Sequence, residues 1–201
     1  MRVLYVYCHP LDDSFHATIR KEALAGLKEA GHEIDLLDLY AEGFDPVLGA
    51  DRRRDYHDPE RNHRNNQAYA DRLMAANAMV VQFPTWSFGP PAMLKGWFDR
   101  MFGPGIALDL SDPAQAKPML QHIERITGIF ARLQNYQVRS LTVGKEAQGE
   151  AIVEIAHNNR VFHGKAASTD IIAASAQAYL KALNKAAANQ HTEKPIHAQH
   201  E

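Results

Sequence analysis

At 201 residues, with 45% hydrophobic and 23% charged side chains, the chain has the length and composition of one globular domain with a single substantial core. Its 22 basic and 24 acidic side chains give a formal net charge of −2, which excludes the basic footprint that nucleic acid demands. One cysteine, Cys8, excludes an internal disulfide framework and a cysteine-rich zinc site.

"RVLYVYC", Arg2 to Cys8, is short, β-branched and aromatic, and predicts a buried strand. It lacks the basic head of a signal peptide, and no stretch reaches the roughly 18 continuous apolar residues of a membrane span. The expectation is a cytoplasmic protein without membrane insertion. "HPLDD" then leads to Ser14, a good N-cap, and to a helix ending near Ala30 with Ile19, Ala23, Leu24 and Leu27 on one face. Gly31 supplies the stop, and "HEIDLLDLY", His32 to Tyr40, predicts a second strand parallel to the first.

Gly43 to Asn66 reads as a long polar connection without a period. Its "DRRRDYHDPERNHRNN" mixes arginines with Asp51, Asp55, Asp58 and Glu60, the pattern of a solvated face or a loop over a site. Gln67 to Ala76 is helical, and "AMVVQF", Ala78 to Phe83, is a third strand. Pro90 and Pro91 then start a helix lined by Met93, Leu94, Trp97, Phe98 and Met101, which "GPG" ends. "RITGIF", Arg125 to Phe130, predicts a fourth strand; "QVRSLTV" reads as a strand or part of an excursion; "STDIIAA" predicts a fifth strand. A terminal helix over Ala176 to Ala188 completes one domain, 1–188, and Asn189 to Glu201 reads as an unpacked polar tail. The alternation predicts a doubly wound α/β fold with a five-stranded parallel sheet, order 2-1-3-4-5, and helices on both faces.

Ligands of such sheets bind beyond the carboxyl ends of the strands. The loop after the first strand can offer helix-terminal amides to a phosphate. The loop after the third, "PTWSFG", is too aromatic for an ordinary solvated turn and can form a flat wall for a conjugated ring. Together they suit a flavin nucleotide. "HPLDDSFHATI", "FDPVL", "DRRRDYHD" and "QFPTWSFGPPAMLKGWFDRMFGPGIAL" resemble the flavodoxin-like NAD(P)H:quinone oxidoreductases over roughly the first 130 residues. The resemblance implies a flavodoxin-like fold, a homodimer, and FAD (alternatively FMN) as cofactor. It also implies NAD(P)H as hydride donor, and two-electron, ping-pong reduction of a quinone or similar small planar acceptor.

The same resemblance places His9, Ser14, Phe15 and His16 on the phosphate side of the flavin, and Pro84, Thr85, Trp86, Ser87 and Phe88 along its ring. His16 stands where the family carries asparagine, and the aromatic at Trp86 stands one place before the family's, at Ser87. After the fourth strand the family has a threonine- and glycine-rich loop; this chain has "ITGIFARLQNYQ", with Thr127 and Gly128 as a remnant and Tyr136 as the nearby residue with a transferable proton. No catalytic residue is assigned. That departure carries an alternative: a flavin-binding regulatory subunit of a membrane transport system, with little turnover. Eleven histidines include no HExxH or comparable spacing, so no metal site is expected, and GxSxG and P-loop motifs are absent.

Overall fold

Val3, Leu4, Tyr5, Val6 and Tyr7 are all buried, the pattern of a strand covered on both faces. They form β1 (Arg2–Tyr7), the middle of a sheet flanked by β2 (Glu33–Asp38) and β3 (Ala78–Gln82). The computed structural model describes residues 1–87, 89–112, 115–127, 132–140 and 148–190. The chain divides into two units, one of Met1–Arg20 and Leu24–Gly128 and the other of Lys21–Ala23 and Ile129–Glu201.

In the first unit β1 runs parallel to β2, with Tyr7 opposite Asp38, and to β3, with Tyr7 opposite Gln82. Between them lie helices α1 (Phe15–Glu29), α2 (Ala50–Asp55) and α3 (Pro59–Met74). Helix α4 (Ala92–Met101) follows β3, then the two-stranded pair β4 (Leu108–Asp109) and β5 (Lys117–Pro118). A fourth parallel strand, β6 (Arg125–Thr127), pairs with β3 and gives the order β2-β1-β3-β6. The core of this unit joins Leu4, Val6 and Cys8 to Leu73, Leu94, Trp97 and Met101.

The connection after β2 is more helical than its sequence suggests. Asp58 caps α3 by accepting the Arg61 amide, and Pro59 occupies the first turn, where its missing N–H costs nothing. The apolar period is missing because Asn62 and Asn66 take core positions. Asn62 donates to the Pro104 carbonyl at 2.7 Å, and Asn66 accepts from the guanidinium of buried Arg100 at 2.8 Å. Hydrogen-bonded amides thus fill core positions that apolar side chains usually take.

The second unit departs from expectation. Strands β7 (Arg132–Ser140), β8 (Gly149–His157) and β9 (Arg160–Ser168) form an antiparallel sheet, and α5 (Ile171–Gln190) packs on β8 and β9. The five-stranded parallel sheet is therefore corrected: four parallel strands are present among the described residues, and "STDIIAA" is not a fifth. Only Ser168 belongs to a strand there. Asp170 accepts the amides of Ile172 and Ala173, which starts a helix in place of the β-branched strand. The period is four rather than two, with Ala174, Ala178, Ala182 and Ala186 buried against Ala151, Val153 and Ile155. The helix continues through Asn189 and Gln190; the rest of the proposed tail, with His191, His197 and His200, lies outside the described residues.

Candidate functional site

At the carboxyl end of β1 the chain turns through His9 and enters α1. The His9 Nδ1 lies 3.1 Å from the Leu11 amide and 3.2 Å from the Leu11 carbonyl, so it can bond Leu11 in either tautomer, accepting from the amide or donating to the carbonyl. The Ser14 hydroxyl donates to the Leu11 carbonyl at 2.9 Å and accepts the Ala17 amide at 3.1 Å. Ser14 thus caps α1, and the first turn of the helix opens at this loop. The positive end of the helix dipole points out of this turn.

The aromatic loop after β3 closes on itself. Trp86 and Gly89 exchange two backbone hydrogen bonds, at 2.9 and 3.0 Å, and Ser87 is held at φ 46°, in the left-handed region. Pro84 is half-buried and Thr85 exposed. Phe88 lies outside the described residues.

The two loops meet. The His9 and His16 rings stack with centroids 5.5 Å apart, and the Trp86 ring stands edge-on to His9 at 6.2 Å. Leu11, Phe15 and Trp86 are 57%, 42% and 42% exposed, three large, partly exposed apolar side chains. The His16 Nδ1 is buried and has no hydrogen-bond partner among the described residues. Burial, with His9 beside it, holds this imidazole below its ordinary value.

Arg20 is the cation nearest this turn on α1, and its charge is already committed. Its guanidinium lies 4.2 Å from the centre of the Tyr7 ring, pairs with Asp38 at 2.6 Å and reaches Asp12 at 3.5 Å. An anion at the first turn of α1 would therefore meet backbone amides and imidazoles rather than a free guanidinium.

Sequence reasoning missed Gln82, the last residue of β3. Its side-chain carbonyl accepts from the Tyr5 hydroxyl at 2.6 Å, and its amide donates to the His16 carbonyl at 2.7 Å. A polar residue at the end of an otherwise apolar strand was the signal. Tyr136 lies in the second unit. Its hydroxyl is 2.6 Å from Ser175 Oγ, and because Ser175 donates to the Ile171 carbonyl, the Tyr136 proton goes to Ser175. That bond ties β7 to α5. Of the remnant after the fourth strand, Thr127 ends β6, and Gly128 and Phe130 lie outside the described residues. Cys8 is fully buried, and burial pushes its thiol up to about 11.

Residues 1–129 match the family model described as the flavodoxin-like fold. The chain belongs to that family. Its flavodoxin-like unit is related to the NAD(P)H dehydrogenases (quinone): it is 33% identical over 125 residues to NAD(P)H dehydrogenase [quinone] 1 of Rattus norvegicus, covering 53% of this chain and 44% of that protein. Among solved structures, Smu.1420 from Streptococcus mutans UA159 is 35% identical with a TM-score of 0.53, over 63% of this chain and 66% of its own. A putative quinone reductase from Klebsiella pneumoniae is 30% identical with a TM-score of 0.51, over 56% of this chain and 49% of its own.

Residues 117–187 match the model of the LeuA allosteric (dimerisation) domain. A 2-isopropylmalate synthase of Ruminiclostridium cellulolyticum is 51% identical over 63 residues, which is 31% of this chain and 12% of the synthase. The chain thus spans a small part of the synthases and less than half of the reductase it matches. The readable signal was the hairpin "AHNNRV", in which Asn158 and Asn159 both take positive φ between two strands of alternating burial.

Proposed function

We propose that the flavodoxin-like unit is a flavin-dependent oxidoreductase, which takes a hydride from NAD(P)H and delivers it to a quinone or similar planar acceptor. The observation that carries this reading is the meeting of His9, His16 and Trp86 beside the first turn of α1. The residues present suit a flavin: partly exposed apolar side chains for a flat ring, the first turn of α1 for a phosphate, and a buried His16 Nδ1 without a hydrogen-bond partner among the described residues. Trp86 and the backbone of Thr85 to Ser87 would lie along the ring, while His9, Ser14, Phe15 and His16 would face the phosphate side. When bound, the flavin supplies the hydride acceptor and donor; the chain supplies orientation and exclusion of water. These residues address the ring and the first phosphate, which FAD and FMN share. FAD is our first expectation and FMN the alternative, and chromatography of released cofactor distinguishes them.

The experiment is rapid mixing of the flavin-loaded protein with NAD(P)H and then with a benzoquinone. Rapid bleaching followed by rapid recovery of flavin absorbance is expected, with parallel double-reciprocal lines in the steady state from one shared pocket. Flavin that binds and stays oxidised in the presence of NAD(P)H would assign the binding-subunit role instead. A colourless protein that takes up neither flavin would overturn both.

A second reading concerns assembly. The match of residues 117–187 to a dimerisation domain supports a role for the second unit in pairing two copies of the chain. The flavodoxin-like unit would then be held as a homodimer by a module of separate origin.

A further inference from the structure

We infer that Gln82 is a positioning residue that sets the first turn of α1 against the aromatic loop, and through that spacing the affinity of the site for flavin. This rests on the flavin reading above. An amide offers a carbonyl and an NH2 group in fixed opposition, so it can join one donor to one acceptor across a gap. Gln82 uses both ends. The Tyr5 hydroxyl donates to its Oε1 at 2.6 Å, and its Nε2 donates to the His16 carbonyl at 2.7 Å. Tyr5 also fixes which way the amide faces, because the phenol can donate to the oxygen end and the His16 carbonyl can only accept.

The backbone makes the same residue a junction. The Gln82 carbonyl accepts the Cys8 amide at 3.0 Å, immediately before His9, and Gln82 sits opposite Tyr7 in the ladder. One residue further on, the chain enters Phe83 and the loop that carries Trp86. Gln82 therefore holds three parts of the site at once: the exit of β1, the first turn of α1 and the start of the aromatic loop. Tyr5 is 2% exposed, so the anchor at the far end of this chain of bonds is fixed in the interior. Bonds in such an environment resist loss because a freed partner has no water to replace it. Neither Gln82 nor Tyr5 faces the ligand side in this scheme; they act through His16 and His9.

The test uses the full-length protein and three variants, Gln82→Met, Gln82→Glu and Tyr5→Phe. Flavin affinity is read by fluorescence quenching, and amide exchange over Phe15 to Thr18 is read in the flavin-free protein. Gln82→Met should weaken flavin binding by roughly tenfold and accelerate first-turn exchange by a similar factor, the scale of one lost hydrogen bond. Tyr5→Phe should do the same in smaller measure. Gln82→Glu discriminates positioning from bulk stability. An ionised carboxylate cannot donate to the His16 carbonyl, whereas a protonated one can while still accepting from Tyr5. Its affinity relative to the unmodified protein should therefore be low at about pH 7 and recover as the pH falls through the carboxyl titration, at about 4.3 for an ordinary glutamate. Affinity and exchange within about twofold of the unmodified protein in Gln82→Met would overturn the inference. If the unmodified protein binds no flavin, the flavin reading falls, and the exchange measurement still decides whether Gln82 holds the turn.

Discussion

Ser87 is a residue held where an L side chain is uncomfortable. Its φ of 46° lets Trp86 and Gly89 close their paired bonds, and glycine would hold that conformation without the clash of a Cβ. Ser87→Gly should relieve about 1 kcal/mol and raise the denaturation midpoint of the flavodoxin-like unit. An unchanged or lowered midpoint would show that the serine side chain contributes more than it strains. His16 carries a pH dependence of definite sign. Its folded value lies below the ordinary 6.5, so the neutral ring is the form the fold prefers. Stability from this group is fully present above 6.5 and is lost as pH falls through the lower folded value. His16→Asn removes the titration, so its midpoint should fall less than the parent's between about pH 7 and pH 5. Superimposable profiles would refute the assignment.

At the scale of elements, what the sequence made legible follows from where the energy comes from. β1, β3 and α4 are held by dense apolar burial, and their patterns were plain in the residues. The approach of the two loops at the carboxyl end of the sheet was also legible, since it follows from parallel order alone. Helix α3 was half hidden because its buried positions are Asn62 and Asn66, whose worth depends on Arg100 and Pro104, distant in sequence. Gln82 was hidden for the same reason. The antiparallel sheet was misread because β-branched Ile171 and Ile172 suggest a strand, while the capping carboxylate of Asp170 decides for a helix. Asp58→Ala and Asp170→Ala should each cost about 1 kcal/mol as lost caps, measured by chemical denaturation, with the loss confined to the unit that carries the substitution. A cost below about 0.3 kcal/mol would mean that the carboxylates are not the caps.

Among the described residues two hydrophobic cores form, one around Trp97 and Leu94 and one around the alanine stripe of α5. Damage to the second core should therefore spare flavin binding while removing pairing, if the second unit is what joins two copies. Gly164 provides the instrument. A Cβ at this position would lie 1.7 Å from the Ala178 carbonyl oxygen and 2.8 Å from the Ala182 amide, both backbone atoms of α5. Neither can rotate aside, so the helix must leave the sheet, at a cost of about 3 kcal/mol. The full chain should sediment as a dimer near 45 kDa, twice its 22.5 kDa. Gly164→Ala should shift it towards 22.5 kDa and lower one thermal transition, with flavin affinity within twofold of the parent. A variant that remains dimeric although α5 has melted would place the dimer contact in the flavodoxin-like unit. Loss of flavin together with the dimer would instead tie the cofactor site to the pairing of the two chains.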